Sequence, residues 1–199
     1  MVEIKVFDKY TVEGIDIKDP GLVRYINLDA RIVPKTGGRN TGIRFHKSKT
    51  FIVERLINKI MVTGHKNKKH VKSSYDKTGK GTTAYNIVEK AFGIIEQKTG
   101  ENPITVLVKA IVNAAPREEI IAIEYGGARY PKAVEVAPQR RVDIVLRLMA
   151  QAAFHKSFKK QIGAEDALSN EIINAYKMSP SSDCIAKKNE LERQSDSSR

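Results

Sequence analysis

The residues that could carry out catalysis are few, and their spacing does not suit it. The segment Gly79-Lys80-Gly81-Thr82-Thr83 superficially resembles a phosphate-binding loop, but the motif requires Ser or Thr directly after the Lys. The four histidines lack metal-ligand spacing, and Glu118-Glu119 has no candidate base nearby. The sequence therefore predicts a protein that is not an enzyme and that needs no metal or cofactor.

Basic residues are the one group whose placement suggests a chemical role. Lys and Arg number 35 against 23 Asp and Glu, a net charge of +12. They concentrate in segments between the predicted helices rather than spreading evenly, which is the arrangement expected of a surface that binds phosphates. The candidate positions are Arg31, Lys35, Arg39, Arg44, Lys47 and Lys49 in residues 31–49; Lys59; Lys66, Lys68 and Lys69; Arg117, Arg129, Lys132, Arg140 and Arg141; Arg147; and His155 with Lys156.

The residues alone do not distinguish RNA from DNA. No recognition helix, zinc finger or basic zipper is visible, and no Gly-x-x-Gly clamp for single strands occurs. Basic side chains scattered around a helical body suit a folded RNA that is read by shape. A hairpin on a helical body could instead enter a DNA minor groove, so an architectural DNA-binding protein is the alternative.

The overall composition is that of an intracellular globular protein. The chain has 199 residues, of which 41% are hydrophobic, and a single cysteine, Cys184. One cysteine permits no disulfide within the chain. No apolar signal core stands at the N-terminus, and no apolar run approaches the roughly 18 residues that span a bilayer. We expect a cytoplasmic protein without membrane contact.

Hydrophobic periodicity predicts which elements position the basic residues. Residues 1–50 lack it and form an extended arm, whereas helical stripes run over 51–62 and 82–98. Asn102-Pro103 is a helix start, because Asn can cap and Pro fits the first helical position. The period changes to that of strands on either side of Gly126-Gly127, a two-residue hairpin turn.

Helical periodicity returns after Pro138 and again at about residues 165–176. We therefore predict three parts: the arm at 1–50, a helix bundle at 51–178 with a hairpin at 117–137, and a charged helical tail at 179–199.

Several segments together resemble one family, the universal small-subunit ribosomal protein seven family in its archaeal and eukaryotic form. The hairpin carries Tyr125-Gly126-Gly127-Ala128-Arg129-Tyr130-Pro131-Lys132, followed by Pro138-Gln139-Arg140-Arg141. Further matches lie at residues 52–59, 101–118, 171–175 and 187–193, so that the resemblance spans nearly the whole chain.

The resemblance implies a mainly α fold, with a six-helix bundle, a protruding two-stranded ribbon between the third and fourth helices, and a basic N-terminal arm. It implies a structural protein that binds the 3′ (head) domain of 16S-type rRNA and nucleates its assembly. By analogy, Arg117, Arg129, Tyr130, Lys132, Arg140 and Arg141 would face rRNA, as would Lys59, Lys66, Lys68 and the arm.

The same resemblance implies further partners. The tip at Gly126, Gly127 and Ala128 would lie near exit-site tRNA and mRNA, and neighbouring proteins of the head and platform would contact the chain, one of them at its C-terminal helix. The first ribbon strand departs from the family pattern, because residues 120–124 are apolar with one acid. No RNA contact is expected there.

Overall fold

The computed structural model describes residues 4–39, 42–64 and 78–199. In this part of the chain six α-helices and one two-stranded antiparallel sheet are present, and the sheet lies between the third and fourth helices. The predicted fold class is therefore confirmed. The elements are α1 (Ile52–Ile60), α2 (Gly81–Thr99), α3 (Pro103–Ala114), β1 (Glu118–Tyr125), β2 (Ala128–Glu135), α4 (Pro138–Ser157), α5 (Ala164–Tyr176) and α6 (Asp183–Asp196).

Local chemistry fixes where these elements begin and turn. The Asn102 side chain accepts a hydrogen bond from the Ile104 N–H at 3.0 Å, and Pro103 is the first residue of α3. In the hairpin, Gly126 (φ +59°) and Gly127 (φ +80°) both have left-handed backbones. Such a turn matches the twist of paired strands, and glycine adopts it without steric cost. The sequence predicted both features.

The bundle is arranged around α5, which packs against α2, α3 and α4. Its fully buried Leu168 and Ile172 belong to one hydrophobic core that includes Phe92 of α2, Leu107 of α3 and Leu146 of α4. Each helix places its apolar stripe in this core, as the periodicity predicted. Most charged residues lie outside it, but Glu54 and Arg55 of α1 and Glu171 of α5 are buried.

The first half of the N-terminal arm joins the core. Phe7 packs edge-on against Tyr85 and Phe92, with ring centroids 4.9 and 5.7 Å apart. Tyr10 donates its hydroxyl proton to Glu96 at 3.1 Å, and burial together with that acceptor raises the pKa of Tyr10 to about 12. Leu22 is also fully buried. The predicted boundary at residue 50 stays a prediction, but the core extends across it.

The C-terminal helix α6 is fastened to the bundle through a buried carboxylate. Glu171 of α5 is fully buried and accepts hydrogen bonds from the Ser182 hydroxyl at 2.7 Å and the Cys184 N–H at 3.2 Å. Lys156 of α4 lies 2.5 Å from the same carboxylate. Partial burial would lower the pKa of Lys156, but the hydrogen bonds and negative charges of Glu171 and Asp183 together outweigh burial and raise that pKa. Three helices therefore meet at one ion pair.

Candidate nucleic-acid interface

Two adjoining grooves collect basic residues from three separate parts of the chain. Both are lined by Phe45, Lys47, Lys59 and Asp143. The first groove continues over Arg55 and Asn58 of α1 together with Thr36, Gly38, Ile43 and Thr50 of the arm. The second continues along α4 over Ala137, Gln139, Arg140, Ile144 and Arg147. We call this pair of grooves, lined by the residues just named, the basic groove.

Asp143 organises the cations of the basic groove and is the one acid that lines it among the described residues. It accepts hydrogen bonds from Lys47 and, at 3.1 Å, from Arg55. Burial alone would raise the pKa of Asp143, but the Lys47 hydrogen bond and the Arg55 charge outweigh it, so the pKa lies below its usual value. A charged Asp143 therefore holds two cations in fixed positions.

Lys59 and Arg147 also line the basic groove, but Asp143 forms no ion pair with either of them. Within the described residues, neither side chain has a carboxylate at ion-pair distance. Burial lowers the pKa of Lys59; Asp143 opposes this, while Lys47, Arg147 and Arg55 lower it further. A phosphate placed here would relieve the repulsion among these cations. Clustered cations without neighbouring acids are the arrangement expected of an anion-binding site.

The arm reaches the groove through a specific anchor. Glu54 of α1 is almost fully buried and accepts hydrogen bonds from both the main-chain N–H and the hydroxyl of Thr36, at 2.8 and 2.5 Å. The predicted cations of residues 31–49 are exposed on either side of this anchor; they are Arg31, Lys35, Arg39, Arg44, Lys47 and Lys49. Lys66, Lys68 and Lys69 lie outside the described residues.

The strands of the hairpin carry two cations, and one of them is paired with an acid across the strands. Arg129 stands opposite Glu124, and their side chains approach to 3.7 Å. Four glutamates against Arg129 and Lys132 leave the two strands with a net charge of −2. RNA contacts at Arg129, Tyr130 and Lys132 stay predictions, and the strands themselves carry no excess of positive charge.

The register places the large apolar side chains of the hairpin on one face. Ile121, Ile123 and Tyr125 of β1 lie opposite Lys132, Tyr130 and Ala128 of β2, respectively. All four of the large apolar residues among these are exposed, Tyr125 to 81%. Gly126 and Gly127 at the tip are also exposed. This face of the hairpin thus presents two tyrosines and two isoleucines beside a single cation, Lys132.

Two adjacent arginines at the base of the hairpin have different environments. Arg140 is exposed, lines the basic groove and makes a two-pronged ion pair with Glu119 at 2.7 and 2.8 Å. Arg141 is buried and donates to the Pro116 carbonyl at 3.0 Å and to Asp19 at 2.8 Å. Burial alone would raise the pKa of Asp19. The hydrogen bonds from Arg141 and the Gly21 N–H, together with the Arg141 and Arg117 charges, outweigh burial, so the pKa of Asp19 is lowered.

The remaining candidate positions lie away from the basic groove. Arg117 is exposed at the start of the hairpin, where its main-chain N–H donates to Glu192 of α6 at 3.1 Å. His155 is half-buried near the end of α4, next to the Lys156 that pairs with Glu171. RNA contacts at these positions, and at Arg141, stay predictions.

Sequence reasoning did not identify Arg55 and Asp143 as parts of the site. A signal for Asp143 was present, because it is the sole acid between Glu135 and Glu165, in a stretch rich in Lys and Arg. Arg55 stands beside apolar residues on the buried part of α1 and resembles an ordinary exposed position in the sequence. Only the packing of α1 against α4 brings the two together.

A helical bundle with a projecting ribbon and a groove of unneutralised cations defines a structural nucleic-acid-binding protein. The family profile described as "Ribosomal protein S7p/S5e" matches residues 22–199. The chain belongs to this family.

Individual relatives agree over the full length. The protein named "Small ribosomal subunit protein uS7" of Nanoarchaeum equitans is 50% identical over 198 residues, which cover 100% of each chain. The protein of the same name from Archaeoglobus fulgidus is 47% identical, covering 99% of this chain and 96% of its own. That of Methanothrix thermoacetophila is 45% identical, covering 96% and 97%.

Family membership confirms the recognition made from the sequence. The chain is a structural, non-enzymatic component of the small ribosomal subunit and associates with its rRNA and with other ribosomal proteins. Its place of action is the ribosome, in the cytoplasm. The alternative of an architectural DNA-binding protein is set aside.

A separate finding concerns membranes. Within the described ranges, no helix combines the length and the apolar character needed to cross a bilayer.

Proposed function

We propose that the chain is a primary rRNA-binding protein that nucleates assembly of the 3′ (head) domain of the small subunit. The observation that carries this proposal is the basic groove. Five cations from the arm, α1 and α4 line it against Asp143, the single acid that lines it among the described residues. Helices α1 and α4 hold four of these cations, and the Asp143 ion pair holds Lys47 of the arm. RNA strands brought together there meet a preformed set of positive charges and lose their mutual repulsion.

The assembly role follows from where the cations come from. Lys47, Lys59 and Arg147 belong to three segments that the folded core holds in one arrangement. RNA segments that contact different cations are therefore fixed relative to one another as soon as they bind. A protein that orders an RNA junction in this way precedes the proteins that bind the ordered junction.

The hairpin serves a different partner in this proposal. Its narrow Gly126-Gly127 tip and the exposed Tyr125 and Tyr130 suit contacts with unpaired bases, which aromatic rings can stack upon. We place the tip, including Ala128, beside exit-site tRNA and mRNA. Neighbouring proteins of the head and platform would bind other surfaces, with the platform neighbour on the exposed face of α6.

The test compares two transcripts of equal length, one from the 3′ domain and one from the 5′ domain of the small-subunit rRNA. We expect tight binding to the 3′-domain transcript alone. If about eight phosphates are contacted, log affinity should fall with log salt at a slope of about −6 to −7. Equal affinity for the two transcripts, or a slope near −1, would contradict the proposal.

The order of assembly supplies a second readout. In reconstitution from purified components, omission of this chain should reduce the incorporation of other head proteins, while the incorporation of body proteins stays unchanged. Unimpaired incorporation of head proteins would remove the nucleating role and leave only binding.

A further inference from the structure

One large aromatic side chain stands exposed at the centre of the basic groove. The Phe45 ring is 59% exposed and lines both of the component grooves. Its neighbour Ile43 is 60% exposed and lines the first. Exposed apolar residues are normal when they are scattered singly, but here two of them border a groove of cations.

The backbone holds the Phe45 ring in this position. Phe45 has a left-handed conformation (φ +64°), which bulky residues rarely adopt. Its carbonyl accepts hydrogen bonds from the Ser48 N–H at 3.2 Å and the Ser48 hydroxyl at 2.6 Å. The His46 N–H donates to the Ile43 carbonyl at 3.3 Å. Strained residues of this kind persist where surrounding contacts determine them, and they cluster at binding sites.

An arginine lies next to the exposed Phe45 ring. The Arg44 guanidinium lies 5.0 Å from the centroid of the Phe45 ring. A nucleobase can stack on such an aromatic ring, because every base has a π face. The nearby arginine adds a cation–π attraction to the stack.

Phosphate-binding groups lie beside the same ring. Lys59 and Arg147 line the second groove with Phe45 and have no carboxylate at ion-pair distance within the described residues. Gln139 lines it too, and its side-chain nitrogen is buried without a hydrogen-bond partner in the described part of the chain. A stacking surface next to free cations has the chemistry of a site for a single nucleotide.

We propose that Phe45 is a stacking platform for one unpaired nucleobase of the rRNA, whose phosphate lies on Lys59 and Arg147. The base must be unpaired and unstacked on at least one side, since bases within a continuous helix are covered on both faces. This inference rests on the proposed function. It adds that the protein recognises the rRNA partly through one nucleotide that is turned out of the RNA stack. Phosphate contacts would then set affinity, and the stack would set register.

The test measures binding of the 3′-domain transcript by Phe45→Leu and Phe45→Trp. Leu keeps an apolar side chain but removes the π face, so we expect affinity to fall about five- to tenfold. Trp should bind as well as Phe or better. Neither change should alter the salt slope, because neither removes a charge. Met178→Leu is the control, as Met178 is also exposed and left-handed (φ +52°) but lies outside the groove.

Zero-length ultraviolet crosslinking of the wild-type complex supplies a direct readout. We expect a nucleotide adduct on Phe45, mapped by mass spectrometry. Unchanged affinity in Phe45→Leu, an equal loss in Phe45→Leu and Phe45→Trp, or adducts confined to other residues would each overturn the stacking proposal while rRNA binding stands. Failure of the wild-type chain to prefer the 3′-domain transcript would overturn the proposed function itself.

Discussion

The basic groove and the hairpin are both exposed and both carry Arg and Lys, yet their charges are arranged differently. In the groove, Asp143 pairs with Lys47 and Arg55, and Arg140 pairs with Glu119 of the hairpin. Lys59 and Arg147 stay unneutralised within the described residues. In the hairpin, four glutamates exceed two cations, and Arg129 pairs with Glu124 across the strands. Attraction for a polyanion therefore resides in the groove.

This difference separates two modes of recognition in one molecule. Unneutralised cations on rigid helices provide salt-dependent affinity for phosphates. The hairpin, with its exposed tyrosines and a net charge of −2, suits contacts made by shape and stacking. A Lys or Arg in the sequence therefore indicates RNA binding only when the folded structure shows that no acidic side chain neutralises it.

The largest expected effect concerns the two arginines where the hairpin joins α4. Arg141→Met keeps the aliphatic stem but removes the donor of the Pro116 carbonyl and the charged donor of Asp19, which keeps only its hydrogen bond from the Gly21 N–H. Arg141 is buried but Asp19 is only half-buried. The loss therefore combines a charge-assisted hydrogen bond, about 1.5–3 kcal/mol, with an unsatisfied buried carbonyl, about 1–3 kcal/mol, and should total about 3 kcal/mol. We expect urea unfolding to show a loss of that order.

Arg140→Met is the matched control. Its pair with Glu119 is exposed on the arginine side, so the loss of stability should stay within about 1 kcal/mol. In the RNA-binding assay the ranking should reverse when both variants are measured well below their unfolding transitions. A stable Arg141→Met protein with weakened rRNA binding would instead place Arg141 in the interface.

The second prediction addresses the groove directly. Lys59→Gln with Arg147→Gln removes the two unneutralised cations and leaves the Asp143 ion pairs intact. A charge-assisted hydrogen bond contributes about 1.5–3 kcal/mol, so affinity for the 3′-domain transcript should fall roughly tenfold for each residue. The salt slope should become shallower by about 1 per residue. Filter binding at several salt concentrations measures both.

The corresponding pair in the hairpin is Arg129→Gln with Lys132→Gln, which removes the same formal charge. Arg129 is already paired with Glu124, so we expect at most a threefold loss, about 0.7 kcal/mol or less, and little change in slope. A larger loss here than in the groove pair would reverse the comparison and make the hairpin the main phosphate-binding element.

A third prediction removes the distal hairpin. Residues 122–131 are all exposed, and they can be replaced by a Gly-Gly turn between the paired residues Ile121 and Lys132. Folding and binding to the naked 3′-domain transcript should change little, within about threefold. Crosslinking of exit-site tRNA or mRNA to reconstituted subunits should fall. Unchanged crosslinking would remove the tip from that site.

Periodicity and turn chemistry were sufficient to predict the helices and the hairpin. Asn102-Pro103 and Gly126-Gly127 are local signals, because each acts within a few residues of its own position. The predicted bounds of α1, α2, α5 and the hairpin agree with the observed ones to within about two residues, whereas the tail predicted as helical over 179–199 forms a helix at Asp183–Asp196. Family resemblance added the number of helices.

The candidate site was less predictable because it depends on contacts distant in sequence. Arg140 and Arg141 are identical in type and adjacent, but one faces solvent and the other is buried against Asp19, 122 positions away. The pairing of Arg129 with Glu124 needs the strand register. Phe45 and Asp143 gain their significance from packing between the arm, α1 and α4, which no local pattern encodes.

Among the groove residues, Asp143 has the smallest expected effect on rRNA affinity, and its substitution combines binding with pH dependence. Asp143→Asn keeps an oxygen acceptor for Arg55, which also donates to the Tyr25 carbonyl at 2.8 Å. The neutral amide no longer balances the buried Arg55 charge, so the loss of stability at neutral pH should be about 1.5–2 kcal/mol, less than for Arg141→Met, which also leaves a carbonyl unsatisfied. Removal of one negative charge from the groove should raise rRNA affinity about two- to threefold at low salt.

The pH dependence follows from the direction of the pKa shift. The pKa of Asp143 is lowered in the folded protein from the value of 3.8 expected when unfolded. Its contribution to stability is then complete above that unfolded value and is lost as pH falls through the lower folded pKa. The difference in unfolding free energy between wild type and Asp143→Asn should be constant near neutral pH and should shrink toward zero as the pH falls below the folded pKa of Asp143. A difference that persists below both pKa values would mean that the introduced amide group, and not the missing charge, destabilises the variant.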